Sequence, residues 1–415
     1  MEYQRIIESM IEKLTILIPT RDREEYLIWC IKSCLNSSYH PLEVLICDNS
    51  STSLTHDTFL SFSDPRLKYI KAPTFLSMVA NWEFAISQVE EGFISILGDD
   101  DAFLPEGVVK AMGHLKKNSL KSISWRQASY RWPGNEFAKI PELYELPISS
   151  GNSIRKPKDF INSVLQARLH PNNLPCIYHG IVHIDLIRKV KEIGNGQFFN
   201  SRIPDYYAIM ILSCVVDDYI YSYEPLTIAG SSPKSNGNAQ VMLDKKFENV
   251  KNEFAKGQED IEFHSRLKFV HVYSILIWEA FLQAKSQGCN QFSDLVNPKM
   301  QIRNAIKEAA AFNLLNEEFE KIQQIAMKFQ LLQSDRPSIF RSFLYKWQYH
   351  LKHYFYFWTN SVFIDCRRLK IDNIFDLSNL HFKLLRTYGN KIYFLFHNGF
   401  LLTRYFFKKY LSFKL

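Results

Sequence analysis

The stretch Phe93-Ile94-Ser95-Ile96-Leu97-Gly98-Asp99-Asp100-Asp101 is a run of apolar residues that breaks at a glycine and continues into three aspartates. Such a run predicts a buried strand of a parallel sheet, and ligands bind beyond the carboxyl ends of these strands. Three adjacent carboxylates repel one another unless a cation neutralises them, and oxygen ligands suit Mg²⁺ or Mn²⁺. The stretch therefore indicates a divalent-metal site or, alternatively, an acidic turn that caps a helix beginning near Pro105.

Length and composition describe a folded protein with more than one unit. At 415 residues, with 46% hydrophobic and 22% charged residues, the chain exceeds one ordinary core and is not disordered. Seven scattered cysteines without a C-x-x-C pair suggest neither a zinc site nor a disulfide framework. The N-terminus lacks the pattern of a signal peptide, and no window has the roughly 20 apolar residues of a membrane span, so we expect a cytoplasmic protein.

The net charge of +7 comes from the end of the chain. Residues 336–415 contain 14 Lys and Arg against 3 Asp and Glu, together with 23 aromatic residues. Basic and aromatic side chains together suit the interface of an anionic membrane. Nucleic acid is the less favoured partner because no RNA- or DNA-binding motif is present, and a helical subdomain with aromatic core residues is the third interpretation.

The first hundred residues alternate between strands and amphipathic helices, which predicts a parallel sheet with right-handed crossovers and an α/β fold. We expect the strand ends at Pro19-Thr20, Asp48 and Asp99 to meet at one edge of this sheet. The predicted strands are 13–19, 42–47, 67–70 and 93–97, and the predicted helices are 24–36 and 74–90.

The remainder gives a weaker pattern. Residues 126–151 are interpreted as irregular, His179 as an ordinary buried histidine, and Asp205 as either a helix cap or a catalytic base at the start of a helix. Residues 241–333 show helical periodicity almost throughout. We therefore expect a catalytic domain over 1–240, a helical region over 241–334 and a basic, aromatic helical tail over 335–415.

Four motifs together resemble the GT-A-fold glycosyltransferases of family 2. These motifs are Ile18-Pro19-Thr20-Arg21-Asp22-Arg23, Glu43-Val44-Leu45-Ile46-Cys47-Asp48-Asn49-Ser50-Ser51, Asn81, and Leu97-Gly98-Asp99-Asp100-Asp101. The resemblance implies a GT-A, Rossmann-like sheet and inverting transfer of a sugar from a nucleotide diphosphate to an acceptor hydroxyl. It also implies a role in bacterial surface polysaccharide or glycan assembly, with a glycan or lipid-linked acceptor at the inner face of the cell membrane.

The resemblance assigns a role to each matching residue. Pro19, Thr20 and Arg21 would line the pocket for base and ribose, Asp48 would accept hydrogen bonds from the base, and Asn81 would lie near the nucleotide. Asp99 and Asp101 would form the D-x-D motif that holds Mn²⁺ or Mg²⁺, with Asp99 and Asp100 also contacting the nucleotide sugar. Asp205 would be the catalytic base.

Three departures from the family pattern are visible, and two other classes of function remain open. Arg21 and Asp22 replace an aromatic or other residue followed by asparagine, which concerns stacking on the base, and the second strand ends Cys47-Asp48-Asn49-Ser50-Ser51 instead of a pair of acids followed by a glycine. No histidine follows Asp205 until His264, so the extra metal ligand of some GT-A enzymes has no match. One alternative is a non-catalytic module that binds a nucleotide sugar or a membrane partner on the same fold. The other is a sugar-phosphate nucleotidyltransferase, whose glycine-rich opening loop is missing after the first strand.

Overall fold

The computed structural model describes residues 12–135, 142–235, 261–311, 316–331 and 360–388, with 338, 341–342 and 344–348 besides. The first half builds four parallel strands separated by helices, as the sequence predicts. The strands are β1 (Leu14–Thr20), β2 (Leu42–Asp48), β3 (Leu67–Lys71) and β4 (Phe93–Ile96), and the helices are α1 (Glu24–Leu35), α2 (Leu54–Leu60) and α3 (Met78–Ser87).

The main sheet has eight strands in the order β3-β2-β1-β4-β10-β6-β11-β9. Its second half comprises β6 (Ser122–Trp125), β9 (Asn152–Arg155), β10 (Gly180–His183) and β11 (Tyr219–Ser222). The β10 strand pairs antiparallel with both β4 and β6, whereas β6 and β11 are parallel. Helices on both faces cover apolar strand residues, which places one core cluster on each side of the sheet.

The helices of this half follow the strands closely. They are α4 (Gly107–Asn118), α5 (Pro157–Leu165), α6 (Ile184–Ile193) and α7 (Pro204–Val215). Helix α7 begins with a proline at its first turn, as the sequence predicts, and most of its side chains are buried. It therefore holds its N-terminal turn in a fixed position against the sheet.

Two strands of a second, five-stranded sheet lie in the region 126–151 that was interpreted above as irregular, so that interpretation is wrong. Its order is β13-β8-β7-β12-β5, with β5 (Ala102–Phe103), β7 (Ala128–Arg131), β8 (Leu143–Pro147), β12 (Thr227–Ser231) and β13 (Ser361–Asp365). The two strands of 126–151 are short, Pro133 and Gly134 lie between them, and beyond pairing with each other they pair with β12 and β13, which are distant in sequence. Pairing with these other strands determines their structure, and the local sequence pattern does not.

The segment after residue 335 is not a helical tail throughout, because β13 pairs antiparallel with β8 in the second sheet. Helix α11 (Ile374–Tyr388) follows it and packs against the same core as Tyr144 and Trp132. The predicted helical region contains α8 (Tyr273–Ser286), α9 (Pro298–Ala311) and α10 (Asn316–Lys328). Residues 389–415, which carry much of the predicted basic tail, lie outside the described residues.

Two further observations bear on the predictions from composition. Cys214 and Cys289 form a disulfide, which the scattered cysteines did not suggest. Among the helices that the structure describes, none is long and apolar enough to cross a membrane.

Candidate active site

The carboxyl ends of β1, β2 and β4 meet at one edge of the main sheet, which confirms that prediction. Thr20 Oγ1 at the end of β1 donates a hydrogen bond to Asp99 Oδ2, 2.8 Å away. The next strand end is tied to the first, since Asn49 N donates to Thr20 O at 2.9 Å. Pro19 and Thr20 therefore lie between the residue that ends β2, Asp48, and the acidic turn after β4.

Asp48 is fully buried and already accepts three hydrogen bonds. Its Oδ2 accepts from Tyr69 Oη at 2.6 Å and from Lys71 Nζ at 2.8 Å, and its Oδ1 accepts from Ser50 N at 2.7 Å. Burial raises the pKa of Asp48, but these bonds outweigh it and hold that pKa below its ordinary value. Asp48 is thus a fixed anion that braces the end of β2.

Asn81 lies beneath the same strand end. Its Nδ2 is 3.5 Å from the carbonyl oxygen of Cys47, and the residue is only 4% exposed. Its buried Oδ1 has no hydrogen-bond partner among the described residues. A buried amide oxygen without a hydrogen-bond donor is costly. Asn81 Oδ1 is therefore an acceptor below the end of β2 that a bound ligand could use.

Asp99 is the first of the three aspartates and faces Arg23. Arg23 Nη1 lies 3.2 Å from Asp99 Oδ1, and both side chains are largely buried. Burial raises the pKa of Asp99 to about 6, although Arg23 and Thr20 both favour the charged form. Thr20 and Arg23 hold the Asp99 carboxyl in place. The single positive charge of Arg23 does not fully offset the cost of burying this carboxylate beside Asp100.

Asp100 contacts the loop that follows β12. Its Oδ2 accepts from Ser235 Oγ at 2.6 Å and from Ser232 N at 3.3 Å. Among the described residues, no hydrogen bond reaches its Oδ1. Burial and the neighbouring Asp101 raise the pKa of Asp100 above its ordinary value.

Asp101, the expected metal ligand, has both oxygens occupied by donors of the protein. Oδ2 accepts from Tyr178 Oη at 2.7 Å and from Gly98 N at 2.9 Å, while Oδ1 accepts from Gly230 N at 2.7 Å. His179 Nε2 lies 3.3 Å from Oδ2, within ion-pair distance. Burial raises the pKa of Asp101, but His179 and the hydrogen bonds lower it further than burial raises it.

The residues around Asp101 are structurally constrained. A Cβ on Gly230 would lie 1.7 Å from the carbonyl oxygen of Asp100, so only glycine fits there. His179 has a φ of 55°, in the left-handed region, and its Nδ1 is 2.8 Å from Thr227 Oγ1. Its interpretation as an ordinary buried histidine missed this contact, because nothing in the sequence joins residues 101, 179 and 227.

Asp205 lies at the first turn of α7 and is neither fully buried nor fully exposed. Burial raises its pKa to about 6, while the backbone amides of Tyr206 and of Asp205 itself oppose the rise. The pKa of Tyr178 is raised by burial and by the charges of Asp101, Asp100 and Asp205. Tyr178 thus lies within electrostatic reach of both the acidic turn and the start of α7.

The donor chemistry of the acidic turn fits a hard divalent cation. No group of three or more His, Cys, Asp or Glu residues within the described part of the chain is arranged to hold a metal ion. Asp99 and Asp100 nevertheless present carboxylates with raised pKa values, the shift that an uncompensated pair of buried anions shows. Carboxylate pairs with additional oxygen ligands from substrate phosphates are the usual setting for Mg²⁺.

The structure is a Rossmann-like α/β domain with an acidic turn at the carboxyl end of β4. Residues 15–168 match the family model "Glycosyl transferase family 2", which is the family that the four motifs resemble.

Two curated relatives share this part of the chain. An "Uncharacterized glycosyltransferase" of Haemophilus influenzae is 26% identical over 147 residues, which cover 34% of this chain and 59% of the relative. The "UDP-Glc:alpha-D-GlcNAc-diphosphoundecaprenol beta-1,3-glucosyltransferase WfgD" of Escherichia coli is 25% identical over 107 residues, 26% of this chain and 42% of that protein. The chain thus spans about half the length of the relatives it matches.

Among solved structures, TarS residues 1–349 of S. aureus in complex with UDP-GlcNAc is 12% identical to this chain. The alignment covers 79% of this chain and 95% of that one, with a TM-score of 0.44.

Proposed function

We propose that the protein is an inverting glycosyltransferase that moves a sugar from a nucleotide diphosphate to an acceptor hydroxyl. The observation that carries this proposal is the acidic turn at the end of β4, where Asp99 accepts a hydrogen bond from Thr20, together with the carboxyl of Asp205 in the first turn of α7. Inverting transfer needs an anion-binding edge and a separate carboxylate base. Neither the nucleotidyltransferase nor the non-catalytic alternative is favoured by the family match.

The donor is a sugar linked to UDP, GDP or dTDP, bound across the ends of β1 and β2. Asn81 offers a buried acceptor beneath this edge, and Asp48 holds the strand end in a fixed position. A relative whose name gives UDP-glucose as donor supports a nucleotide sugar. Asp48 Oδ1 accepts only one of the three internal hydrogen bonds, from Ser50 N, so it is the oxygen that would accept a hydrogen bond from the base.

The acidic turn would hold Mn²⁺ or Mg²⁺ through Asp99 and Asp100. When bound, such a cation offsets the negative charge that develops on the leaving diphosphate. Asp101, which the family resemblance makes a metal ligand with Asp99, accepts hydrogen bonds from Tyr178, Gly98 and Gly230, whereas Asp99 accepts only from Thr20 and Arg23, so binding a cation would disturb more contacts at Asp101. We therefore assign it the role of fixing the turn.

Asp205 is the base that removes the proton of the acceptor hydroxyl. A carboxyl with a pKa of about 6 is mostly ionised near pH 7 and is a stronger proton acceptor than an ordinary aspartate. Its place at a helix N-terminus also fixes its position. Asp205 would thus remove the proton from the start of α7, while Asp99 and Asp100 would stabilise the leaving group at the end of β4.

The activity is tested by incubating the protein with UDP, GDP and dTDP sugars and Mn²⁺, and measuring nucleotide diphosphate release in the presence of lipid-linked and soluble glycan acceptors. Release from one donor class that depends on an acceptor supports the proposal. A protein that binds nucleotide sugars tightly but releases nothing with any acceptor would instead be the non-catalytic module.

The acceptor is lipid-linked, and the end of the chain brings the enzyme to the inner face of the membrane. A relative named for a diphosphoundecaprenol-linked acceptor supports this. Residues 389–415 contain nine aromatic residues and five basic ones, without an acidic residue. Each Lys or Arg near an anionic surface contributes about 1 kcal/mol, and salt screens that contribution.

Cosedimentation with vesicles tests the membrane role. The full chain is compared with a chain ending at Tyr388, which keeps every strand and helix described above, and with a full-length variant in which the five basic residues become glutamine. Binding of the full chain to anionic vesicles that decreases in both variants supports the role. Equal binding by all three proteins, or none, contradicts it. The five basic residues are Lys391, Arg404, Lys408, Lys409 and Lys414.

A further inference from the structure

Phe75 is an aromatic side chain at the mouth of the nucleotide edge that no role assigned above explains. It is 57% exposed, in the loop between β3 and α3. The guanidinium carbon of Arg21, in the loop after β1, lies 5.2 Å from the centre of its ring. The two side chains therefore bridge two loops above the end of β2, which lies between β1 and β3 in the sheet.

Both loops are attached to the same turn. Asn49 Nδ2 donates to Leu76 O at 2.7 Å, and Leu76 N donates to Asn49 Oδ1 at 2.9 Å, so the residue next to Phe75 is held at two points. On the other side, Asp22 N donates to Ser50 Oγ at 2.9 Å, and Ser51 N donates to Asp22 Oδ1 at 3.0 Å. Phe75 and Arg21 are thereby fixed relative to the strand end that carries Asp48.

We propose that Phe75, backed by Arg21, is the platform on which the base of a nucleoside diphosphate stacks. The inference rests on the proposed function and adds a donor-binding residue to it. An aromatic ring that is exposed to water contributes little to the stability of the fold. A ring that stacks on a nucleotide base contributes substantially to binding, and it can stack on any of the bases. Arg21 occupies one side of the ring, and the exposed remainder leaves a surface for the base.

This assignment also accounts for the unusual first loop. The loop after β1 carries Arg21 and Asp22 without an aromatic residue, yet a ring reaches the same place from the loop after β3. The ring comes from the opposite side of β2 and uses the Asn49 contacts with Leu76 for its position. Sequence inspection of the first loop alone cannot find it.

The test is calorimetric titration of wild type, Phe75→Ala, Phe75→Tyr and, as a matched control, Leu60→Ala, whose leucine is 62% exposed on α2. Each protein is titrated with UDP, GDP, dTDP and inorganic pyrophosphate in Mn²⁺. We expect Phe75→Ala to weaken binding of the preferred nucleotide roughly 10- to 100-fold and to leave pyrophosphate affinity unchanged. Phe75→Tyr and Leu60→Ala should bind like the wild type.

Two results would overturn the platform while leaving the proposed function intact: nucleotide affinity that is unchanged in Phe75→Ala, or an equal loss for pyrophosphate and nucleotide. The second would show that Phe75 acts on the shape of the whole site. If the wild type bound no nucleotide at all, the proposed function would fail and the platform with it.

Discussion

Asp101 and Asp205 are both carboxyls near Tyr178, yet the protein treats them in opposite ways. Asp101 is completely buried, accepts three hydrogen bonds, lies beside His179 and has a lowered pKa. Asp205 lies in the first turn of α7, and burial raises its pKa to about 6. The difference separates a carboxylate that fixes the architecture from one that is available for proton transfer.

The largest effect should follow the loss of the available carboxyl. Asp205→Asn keeps the shape of the side chain but cannot accept the acceptor's proton, so turnover should decrease by a factor of about 10² to 10⁴. The Kd of the donor should change little, because the residues proposed to bind the donor lie at the ends of β1, β2 and β4 and not on α7. Kinetics and calorimetry on the same preparation measure both quantities.

The control is Asp218→Asn, which changes an aspartate in the turn between α7 and β11. Turnover that persists in Asp205→Asn, or that decreases equally in Asp218→Asn, would move the base elsewhere.

The next effect should be on folding, at Asp101. Asp101→Asn removes the charge that faces His179 and brings an amide group against donors from Tyr178, Gly98 and Gly230. We expect a loss of about 2–4 kcal/mol in the free energy of unfolding. Denaturant unfolding measures it, with Asp100→Asn as the matched control.

That control should be close to wild type or slightly more stable, because burial and Asp101 both disfavour the charge of Asp100. If the two variants unfolded at the same denaturant concentration, Asp101 would stabilise the fold no more than Asp100, and its assignment as the structural aspartate of this turn would be wrong.

The smallest effect is the pH dependence of turnover. Asp205 must be ionised to accept a proton, and its pKa is raised to about 6, so kcat should be constant above pH 7 and decrease below pH 6. At pH 5 it should be about tenfold below the plateau. An ordinary aspartate, with a pKa of about 3.9, would lose half of the activity only near pH 4, and a profile of that kind would show that burial does not tune this carboxyl.

The sequence predicted the parts of the site that depend on single strands and helices. An apolar run followed by a polar residue places Asp48 and Asp99 at strand ends, and a Pro-Asp pair places Asp205 in the first turn of α7. The partners of Asp101 could not be predicted, because Tyr178 and Gly230 are 77 and 129 residues away. The strand β13 was missed for the same reason, since it pairs with β8 across more than 200 residues.

The most direct test of the account compares Asp100→Asn with wild type by calorimetric titration of the preferred nucleoside diphosphate, in Mn²⁺ and in chelator. The affinity of the wild type for the nucleoside diphosphate should decrease at least about tenfold in chelator, because the uncompensated carboxylates then repel the diphosphate. In Asp100→Asn the affinity should no longer depend on Mn²⁺. Equal affinities in Mn²⁺ and chelator for the wild type, or an unchanged Mn²⁺ dependence in the variant, would contradict the assignment of the acidic turn as the metal and diphosphate site.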